Sequence, residues 1–501
     1  MIDPNSPDLT LGVVGAGAMG AGIAQVALTG RMRVVLYDAD RKALEKAQGD
    51  IAARLDRLVE KGQAKADAVA AAKGRLVLGS SMADFAPCVV VIEAIVENLD
   101  VKRQVFRALE EVVRPDAVLA SNTSSIPIAS IARPLRERRR VAGMHFFNPV
   151  PLMRLVEIIS AAETDPEIPD LLARLGERMG RTPVRVKDSP GFLVNLGGRA
   201  YTSEALHILQ EAVATPEEVD AVMRECCGFR MGPFELMDLT GIDVNYPVSR
   251  IIHEGYFYDP RLKTTPGHAA LFNAGRLGRK TGAGFHDYTV TAGMLAEPAP
   301  LDESLLPARV ILAETDDRLV SLVLAAGVEA EAIDDGASPI LLAPVGEDCT
   351  TASVRLGLDP KRTVAVDLSH DTSKRITIMA APGADPARVA AVETMLAKTG
   401  RAVTRINDSP GFVAQRITAM IANLGCEMAQ MALATPADID TAMRLGLNYP
   451  LGPLALAERM GVRTTYDILA HLFEITGSDR YRPSLWLRRR AVLGLPITTP
   501  D

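Results

Sequence analysis

A histidine and a glutamate on neighbouring predicted strands could carry out acid–base chemistry. His145 ends the apolar run 141–144, and Glu157 interrupts the apolar strand 155–159. In an open α/β sheet ligands bind beyond the carboxyl ends of the strands, where an imidazole can take a proton from a hydroxyl group near neutral pH. A carboxylate in an apolar strand is costly unless it is paired, and His145 would satisfy it. The same pattern also fits a buried core histidine and an exposed strand carboxylate, so it does not decide between these interpretations.

A glycine-rich turn near the N-terminus could bind the pyrophosphate of a dinucleotide. Between a predicted strand and a predicted helix stand Gly15, Ala16, Gly17, Ala18, Met19 and Gly20. The first glycine permits the tight turn, the second lets a pyrophosphate approach the backbone, and the third lets the helix pack close to the strand. Asp38 ends the next strand, where a carboxylate would bind the adenosine ribose and repel a 2′-phosphate. The sequence therefore predicts NAD rather than NADP, with an empty glycine-rich turn as the alternative.

The elements that would position these residues repeat along the chain. Strand and helix patterns alternate up to residue 187, which is typical of a doubly wound parallel sheet, and long helices follow. The run Asp188–Phe192 recurs 220 residues later as Asp408–Phe412, and other turn residues keep the same offset. The sequence thus predicts a partial duplication: an α/β Rossmann-type NAD-binding domain over 1–187, an all-α domain over 188–290, a linker over 291–308, a reduced Rossmann-like domain without a glycine loop over 309–407, and a second all-α domain over 408–501.

The second copy keeps packing residues of the first but not its candidate catalytic residues. At the offset of 220, His145 aligns with Ala365, Glu157 with Thr377 and Asn195 with Gln415, and strand 89–92 aligns with 309–312. Turn and packing residues persist in the second copy, whereas these polar residues do not. We therefore expect the second copy to lack catalytic activity.

The composition of the chain narrows the classes of function. Its 501 residues include 55 Lys and Arg against 62 Asp and Glu, a net charge of −7, and aromatic residues make up 4%. Such a chain argues against binding to nucleic acid or to a membrane. Five cysteines without a C-x-x-C pair, and histidines without metal-ligand spacing, predict neither disulfides nor a metal site. With no apolar run long enough to span a membrane and an acidic N-terminus, the protein is predicted to be cytoplasmic.

Two other functions, a hydrolase and a nucleoside triphosphate-binding protein, agree less well with the sequence. Ser124, His145 and Glu157 have the residue types of a hydrolase triad, but Ser124 does not lie in a G-x-S-x-G turn. The run Gly278–Gly282 lacks the spacing of a phosphate-binding loop, and no strand precedes it.

Six motifs in their order along the chain resemble those of the 3-hydroxyacyl-CoA dehydrogenases. They are Gly15–Gly20, Ala94–Asn98, Ser121–Ser125, His145–Pro149, Asp188–Phe192 and Gly278–Phe285. With its second copy, nearly the whole chain resembles the extended dehydrogenases of bacterial phenylacetate degradation. The resemblance implies NAD-dependent oxidation of an (S)-3-hydroxyacyl-CoA to the 3-oxoacyl-CoA. It favours 3-hydroxyadipyl-CoA, with 3-hydroxybutyryl-CoA as the close alternative and a non-catalytic NAD- or CoA-binding protein as an alternative of another class.

The resemblance also assigns roles to residues of this chain. It implies His145 as the general base and Glu157 as its partner. It places Ser124 and Asn195 at the substrate hydroxyl or thioester carbonyl, and Lys61 near the CoA moiety. The contacts implied for NAD, beside the glycine turn and Asp38, are Glu97, Lys102 and Asn148. Arg54 departs from a serine common in short relatives. In short relatives the helical domain dimerises, so the resemblance implies a homodimer. Because the second copy keeps packing residues but loses polar ones, the alternative is that its helical domain, 408–501, packs on the first and replaces that partner within one chain.

Overall fold

The computed structural model describes residues 3–289 and 301–501. The chain forms two compact units, each built from separate stretches of sequence. The first comprises Met1–Leu196 with Met431–Leu447, and the second comprises Gly197–Gln430 with Asn448–Asp501. Each unit contains one sheet.

The sheet of the first unit is doubly wound. Its strands are β1 (Thr10–Val14), β2 (Arg33–Tyr37), β3 (Leu76–Leu78), β4 (Val90–Glu93), β5 (Val118–Ser121), β6 (Val141–Phe146), β7 (Leu155–Ser160) and β8 (Thr182–Lys187). They lie in the order β3-β2-β1-β4-β5-β6-β7-β8. Only β6 and β7 are antiparallel neighbours. The strand order reverses between β1 and β4, and such a reversal creates the crevice in which these sheets bind ligands.

Helices cover this sheet because every residue of β1, β4, β5 and β6 is buried, and such strands need apolar partners on both faces. They are α1 (Ala18–Thr29), α2 (Arg41–Glu60), α3 (Ala66–Gly74), α4 (Leu99–Val112), α5 (Ile128–Ala132) and α6 (Glu167–Arg178). Helix α7 (Val194–Gln210) starts in this unit and continues into the second. The core includes Leu11, Val13, Ile23, Leu36 and Phe146, all at most 1% exposed.

The second unit holds a smaller sheet and most of the helical residues. Its strands are β9 (Arg309–Leu312), β10 (Glu329–Glu331), β11 (Ile340–Leu342), β12 (Thr363–Val366), β13 (Arg375–Ala380) and β14 (Ala402–Ile406), in the order β10-β9-β11-β12-β13-β14. Here β12 and β13 are the antiparallel pair. Its helices before β10 are the rest of α7, α8 (Pro216–Glu225), α9 (Pro233–Thr240), α10 (Ile242–Gly255), α11 (Pro266–Asn273) and α12 (Asp317–Ala325). Then follow α13 (Cys349–Leu356), α14 (Pro386–Lys398), α15 (Val413–Gln430), α17 (Pro453–Met460), α18 (Val462–Thr476) and α19 (Leu485–Leu493); α16 (Pro436–Leu447) belongs to the first unit.

These elements confirm the predicted fold class. The Rossmann-type sheet, the helical segment, the smaller sheet and the second helical segment are all present, and α17 repeats α9 at the offset of 220. Of the predicted linker 291–308, only 301–308 lies within the described residues, and it contains one helical turn, Glu303–Leu305. The domain boundaries drawn from the sequence stay a prediction.

The two halves contribute equivalent helices to each other's sheet. In the first unit Lys187 N–H donates to Leu433 O at 2.9 Å, and α16 lies beside β7 and β8. In the second unit Asn407 N–H donates to Val213 O, also at 2.9 Å, and α8 lies beside β13. Residues 187 and 407, like 213 and 433, are separated by 220 positions, so the contact repeats reciprocally.

The uninterrupted offset of 220 is wrong at two places in the second sheet. First, β9 is followed by α12 and then by β10 on its outer side, whereas β4 is followed by β5 on its inner side. Strand 309–312 is therefore connected to its next strand in the way that β1 is, and not in the way that the aligned strand 89–92 is. Second, Asp367 N–H donates to Thr377 O at 2.9 Å, so Asp367 and not Ala365 lies opposite Thr377. A shift of two residues in β12 explains this difference.

Candidate active site

The antiparallel pairing of β6 and β7 brings the predicted acid–base pair together. His145 and Glu157 lie directly opposite each other, and Nδ1 of the imidazole is 2.7 Å from Oε2 of the carboxylate. Both side chains are buried. The other carboxylate oxygen accepts the backbone N–H groups of Leu193 and Val194, each at 3.0 Å, where α7 begins. Because the ionised carboxylate only accepts hydrogen bonds, Nδ1 carries the proton and Nε2 is left as an acceptor.

Aromatic rings restrict the position of this imidazole. The ring of Phe147 lies 4.5 Å from that of His145, and the ring of Phe192 lies 5.9 Å away. Phe192 has a φ of 50°, a conformation that non-glycine residues rarely adopt. It ends the turn Asp188–Phe192, which leads directly into α7.

Asp188 fixes this turn to the rest of the first unit. Its carboxylate accepts the backbone N–H groups of Ile128 at 3.0 Å and Ala129 at 2.9 Å, at the start of α5. Burial raises the pKa of the Asp188 carboxyl, although the two N–H donors lower it. The turn therefore holds the start of α7, whose N–H groups bind Glu157.

Two further predicted residues lie together. Asn195 donates from Nδ2 to the carbonyl oxygen of Ser124 at 3.2 Å. Glu97 lies below the same loop and accepts the hydroxyl of Thr123 at 2.6 Å and the backbone N–H of Ser124 at 3.0 Å. Burial raises the pKa of Glu97, but these hydrogen bonds and the charge of Lys102 outweigh it and hold the pKa below its usual range.

A buried ion pair supports the loop, and only its lysine, Lys102, was predicted from the sequence. Lys102 Nζ lies 2.7 Å from Glu93 Oε1 and 3.2 Å from Glu97 Oε2, and the side chains of Lys102 and Glu93 are at most 1% exposed. Glu93 also accepts the hydroxyl of Ser121 at 2.7 Å. The signal was a carboxylate at the end of an apolar strand, the kind of signal that singled out Glu157.

The glycine turn has the shape that a dinucleotide needs. Gly15 has a φ of 103°, and a Cβ there would lie 2.5 Å from the carbonyl oxygen of Ala94. At Gly20 a Cβ would lie 1.8 Å from the carbonyl oxygen of Gly15, whereas at Gly17 it would meet nothing within 4 Å. Asp38 accepts the N–H of Ala16 at 2.7 Å and so joins the turn to the end of β2. The residues present therefore fit a bound NAD.

The other predicted contacts lie at the surface. Ala18 and Met19 form the first turn of α1, with Ala18 exposed. Asn148 is exposed and precedes Pro149 through a cis peptide bond. Lys61 is exposed at the end of α2, on which Arg54 is half-buried.

Three properties concern the described residues as a whole. No helix among them is long and apolar enough to cross a membrane. Within 3–289 and 301–501, no three His, Cys, Asp or Glu side chains lie close enough together to hold a metal ion. All five cysteines are buried and carry free thiols.

Comparison with known proteins gives a consistent assignment. Residues 10–189 match the family model described as 3-hydroxyacyl-CoA dehydrogenase, NAD binding domain, and residues 191–288 and 411–496 match its C-terminal domain. The chain is 37% identical to the 3-hydroxyadipyl-CoA dehydrogenase of Escherichia coli, over 97% of this chain and 98% of that protein. It is 39% identical to a probable 3-hydroxybutyryl-CoA dehydrogenase of Deinococcus radiodurans, over 56% of this chain and all of that protein.

Solved structures agree with this assignment. A 3-hydroxybutyryl-CoA dehydrogenase from Escherichia coli superimposes with a TM-score of 0.87 at 36% identity, covering 97% of this chain and 98% of that one. The (S)-3-hydroxybutyryl-CoA dehydrogenase of Ralstonia eutropha gives a TM-score of 0.54 at 37% identity and covers 56% of this chain and 98% of that one.

Proposed function

The chain belongs to the 3-hydroxyacyl-CoA dehydrogenase family, and we propose how its own residues carry out this NAD-dependent oxidation and which acyl group it takes. His145 is the general base. The 2.7 Å contact with Glu157 carries this assignment, because it holds the proton on Nδ1 and leaves Nε2 to accept the proton of the substrate hydroxyl. NAD, when bound, supplies the hydride acceptor.

Glu157 stabilises the charge that develops on His145. As the hydroxyl proton moves to Nε2, the imidazole becomes a cation next to a buried carboxylate. Two backbone N–H groups already hold that carboxylate in place, so it does not have to reorient during the reaction.

Ser124 and Asn195 position the substrate. Their mutual hydrogen bond supports a role in which the hydroxyl and the amide contact the substrate hydroxyl or the thioester carbonyl. Lys61 is proposed to lie near the CoA moiety, where an exposed cation suits a phosphate.

The cofactor contacts follow from the glycine turn. The open space at Gly17 and the ends of β1 and β2 support binding of the pyrophosphate at the N-terminus of α1, with Asp38 at the ribose. Lys102 is buried and paired, so we propose that it acts on NAD through Glu97, with Asn148 as a further contact.

We infer 3-hydroxyadipyl-CoA as the substrate. The support is the full-length relative of that name, while the full-length solved structure is named a 3-hydroxybutyryl-CoA dehydrogenase and makes this second acyl group the alternative. A role in phenylacetate degradation and a cytoplasmic location stay predictions. So does internal pairing of the two halves in place of a homodimer, which the mass of the protein in solution checks.

The test is NADH formation by the purified full chain with (S)-3-hydroxyadipyl-CoA and (S)-3-hydroxybutyryl-CoA in parallel. A higher kcat/KM for the adipyl thioester supports the proposal, and a higher value for the butyryl thioester replaces it with the alternative. His145→Ala should lower kcat by about 10²–10⁴-fold. Thr377→Val, at the position equivalent to Glu157, is the control and should keep full activity. NAD binding without turnover of either thioester would favour a binding protein.

A further inference from the structure

The second sheet has a cavity at the edge that corresponds to the active site of the first. Residues 367–371 follow β12, as residues 147–151 follow β6, so they lie at the carboxyl end of the strand where α/β sheets bind ligands. Two adjoining cavities of about 520 and 450 Å³ share Ser369 and His370 as lining residues. Ligand-binding pockets in proteins have volumes of roughly 300–1,000 Å³, so either cavity admits a small molecule.

A chain of hydrogen bonds orients His370 in this wall. Ser369 Oγ donates to Asp367 Oδ1 at 2.6 Å, so the Nδ1–H of His370 must donate to Ser369 Oγ, 2.8 Å away. Gln415 Nε2 donates to the same oxygen of Asp367 at 3.2 Å. The Nε2 atom of His370 is therefore an acceptor, and it is buried without a hydrogen-bond partner among the described residues. Buried polar atoms in native proteins normally have a partner, so this atom calls for a donor.

Cations without an ion-pair partner are in excess among the residues that line the cavity of about 450 Å³. Lys374 and Arg459 line it, and within the described chain neither has a carboxylate within 4 Å. Asp371 also lines the cavity, but its carboxylate accepts the N–H of Ser373. The other acid and base of the lining, Glu225 and Arg224, are each paired, with Arg375 and Glu235 respectively. Among the residues that line this cavity, the two cations without a carboxylate partner therefore outnumber the one anion without a cationic partner, which favours an oxyanion.

We propose that the cavity of about 450 Å³ in the second unit binds a small hydroxylated anion. Its phosphate or carboxylate group lies between Lys374 and Arg459, and a hydroxyl or N–H group donates to Nε2 of His370. The buried thiols Cys226 and Cys227 form part of the wall, and burial raises the pKa of both, so they serve as apolar surface and not as nucleophiles. All residues of this site belong to the second unit, and its occupation does not depend on the proposed substrate.

Calorimetric titration of the full chain, with NADH saturating the cofactor site, tests the proposal. Ribose 5-phosphate offers a phosphate and hydroxyl groups, 3-hydroxybutyrate offers a carboxylate and a hydroxyl group, and ribose offers hydroxyl groups alone. We expect one of the two anions to bind with a stoichiometry of one and ribose not to bind. The anion that binds identifies the source of the oxyanion.

Two double variants with equal loss of charge locate the binding. Lys374→Ala with Arg459→Ala should weaken the affinity about tenfold or more. Arg309→Ala with Lys361→Ala removes the same charge elsewhere in the second unit and should leave the affinity unchanged. Both variants should keep the KM for NAD and for the acyl-CoA. Equal weakening in both variants, or no binding of either anion at millimolar concentration, would overturn the proposal.

Discussion

The tautomer of His145 depends on one carboxylate. Glu157 has three donors, two backbone N–H groups and the imidazole. In Glu157→Gln the amide oxygen must still accept the N–H groups of Leu193 and Val194, so the amide nitrogen faces the imidazole and donates to Nδ1. The proton then moves to Nε2, which can no longer accept the substrate proton. We expect kcat to fall by about 10²–10⁴-fold while the KM for NAD stays the same, measured by steady-state NADH formation. A loss of kcat below twofold would contradict the role of Glu157.

Glu157 was predicted from the sequence and Glu93 was not, although both are carboxylates in apolar strands. They differ in where their partners lie along the chain. Glu157 and Glu93 both end or interrupt an apolar strand. Glu157 was found because a histidine lay on the strand before it, whereas the partner of Glu93 is Lys102, on the helix that follows. Lysine in an amphipathic helix is usually solvated, so its burial depends on packing that a single sequence does not specify.

Two glycines of the turn are expected to have different roles, Gly17 in ligand binding and Gly20 in folding. Gly17 has a φ of −65°, which any residue adopts, and its Cβ would meet nothing. Gly17→Ala should therefore keep the Tm but raise the KM for NAD about tenfold or more, because the methyl group occupies the space of the pyrophosphate. Gly20→Ala should instead lower stability by about 1–3 kcal/mol, because its Cβ overlaps the carbonyl oxygen of Gly15. Thermal melts and NAD titration compare the two variants, and a normal KM in Gly17→Ala would exclude pyrophosphate binding at this turn.

The repeated turn provides a second matched pair. Asp188 accepts two backbone N–H groups at the start of α5, and Asp408 accepts those of Cys349 and Thr350 at the start of α13. Removing either carboxylate should cost about 1–2 kcal/mol, as loss of a helix cap does. Only Asp188→Ala should also lower kcat/KM, because its turn leads into the N–H groups that hold Glu157. Urea unfolding and kinetics of both variants check this, and equal losses of activity would contradict it.

The elements themselves were predictable, but the alignment of the two copies was not. Strand and helix patterns follow local hydrophobic periodicity, which the sequence carries directly. The pairing of Asp367 with Thr377 depends on a shift of two residues in a short strand, and such a shift leaves the inward and outward faces unchanged. The hydrophobic pattern therefore does not reveal it.

At the scale of the whole molecule, the sequence also did not predict the exchange of helices between the halves. Helix α16 follows α15 along the chain but lies beside β7 and β8, and α8 lies beside β13. The apolar pattern of a helix shows which face is buried but not which sheet it packs against. The partners of α8 and α16 are therefore set by the path of the chain in three dimensions. The exchange explains why the compact units do not coincide with the two copies of the repeat.

A buried ionic cluster in the second unit joins residues far apart along the chain, and it makes stability depend on pH. Glu204 on α7 is fully buried and accepts Arg416 Nε on α15 at 2.9 Å and Arg480 Nε at 2.8 Å. Burial raises the pKa of Glu204, but the two guanidinium groups outweigh it and lower the pKa from 4.5 to about 2. Because the folded pKa is the lower one, this stabilisation is present above pH 4.5 and is lost as the pH falls towards 2, a change of about 3 kcal/mol.

Glu204→Gln should therefore destabilise the protein by about 3–5 kcal/mol at pH 7, because two buried guanidinium groups lose their counter-charge. Between pH 5 and pH 3 its unfolding midpoint in urea should fall less than that of the unmodified chain. The reason is that the variant has no carboxylate at position 204 to take up a proton when the chain unfolds. Glu211→Gln is the matched control: this carboxylate contacts Arg416 at 2.7 Å but is 43% exposed, so its loss should cost less than about 1 kcal/mol. Equal costs for the two variants would mean that the cluster joins the helices by packing alone, and that the charge of Glu204 does not hold the two copies of the repeat together.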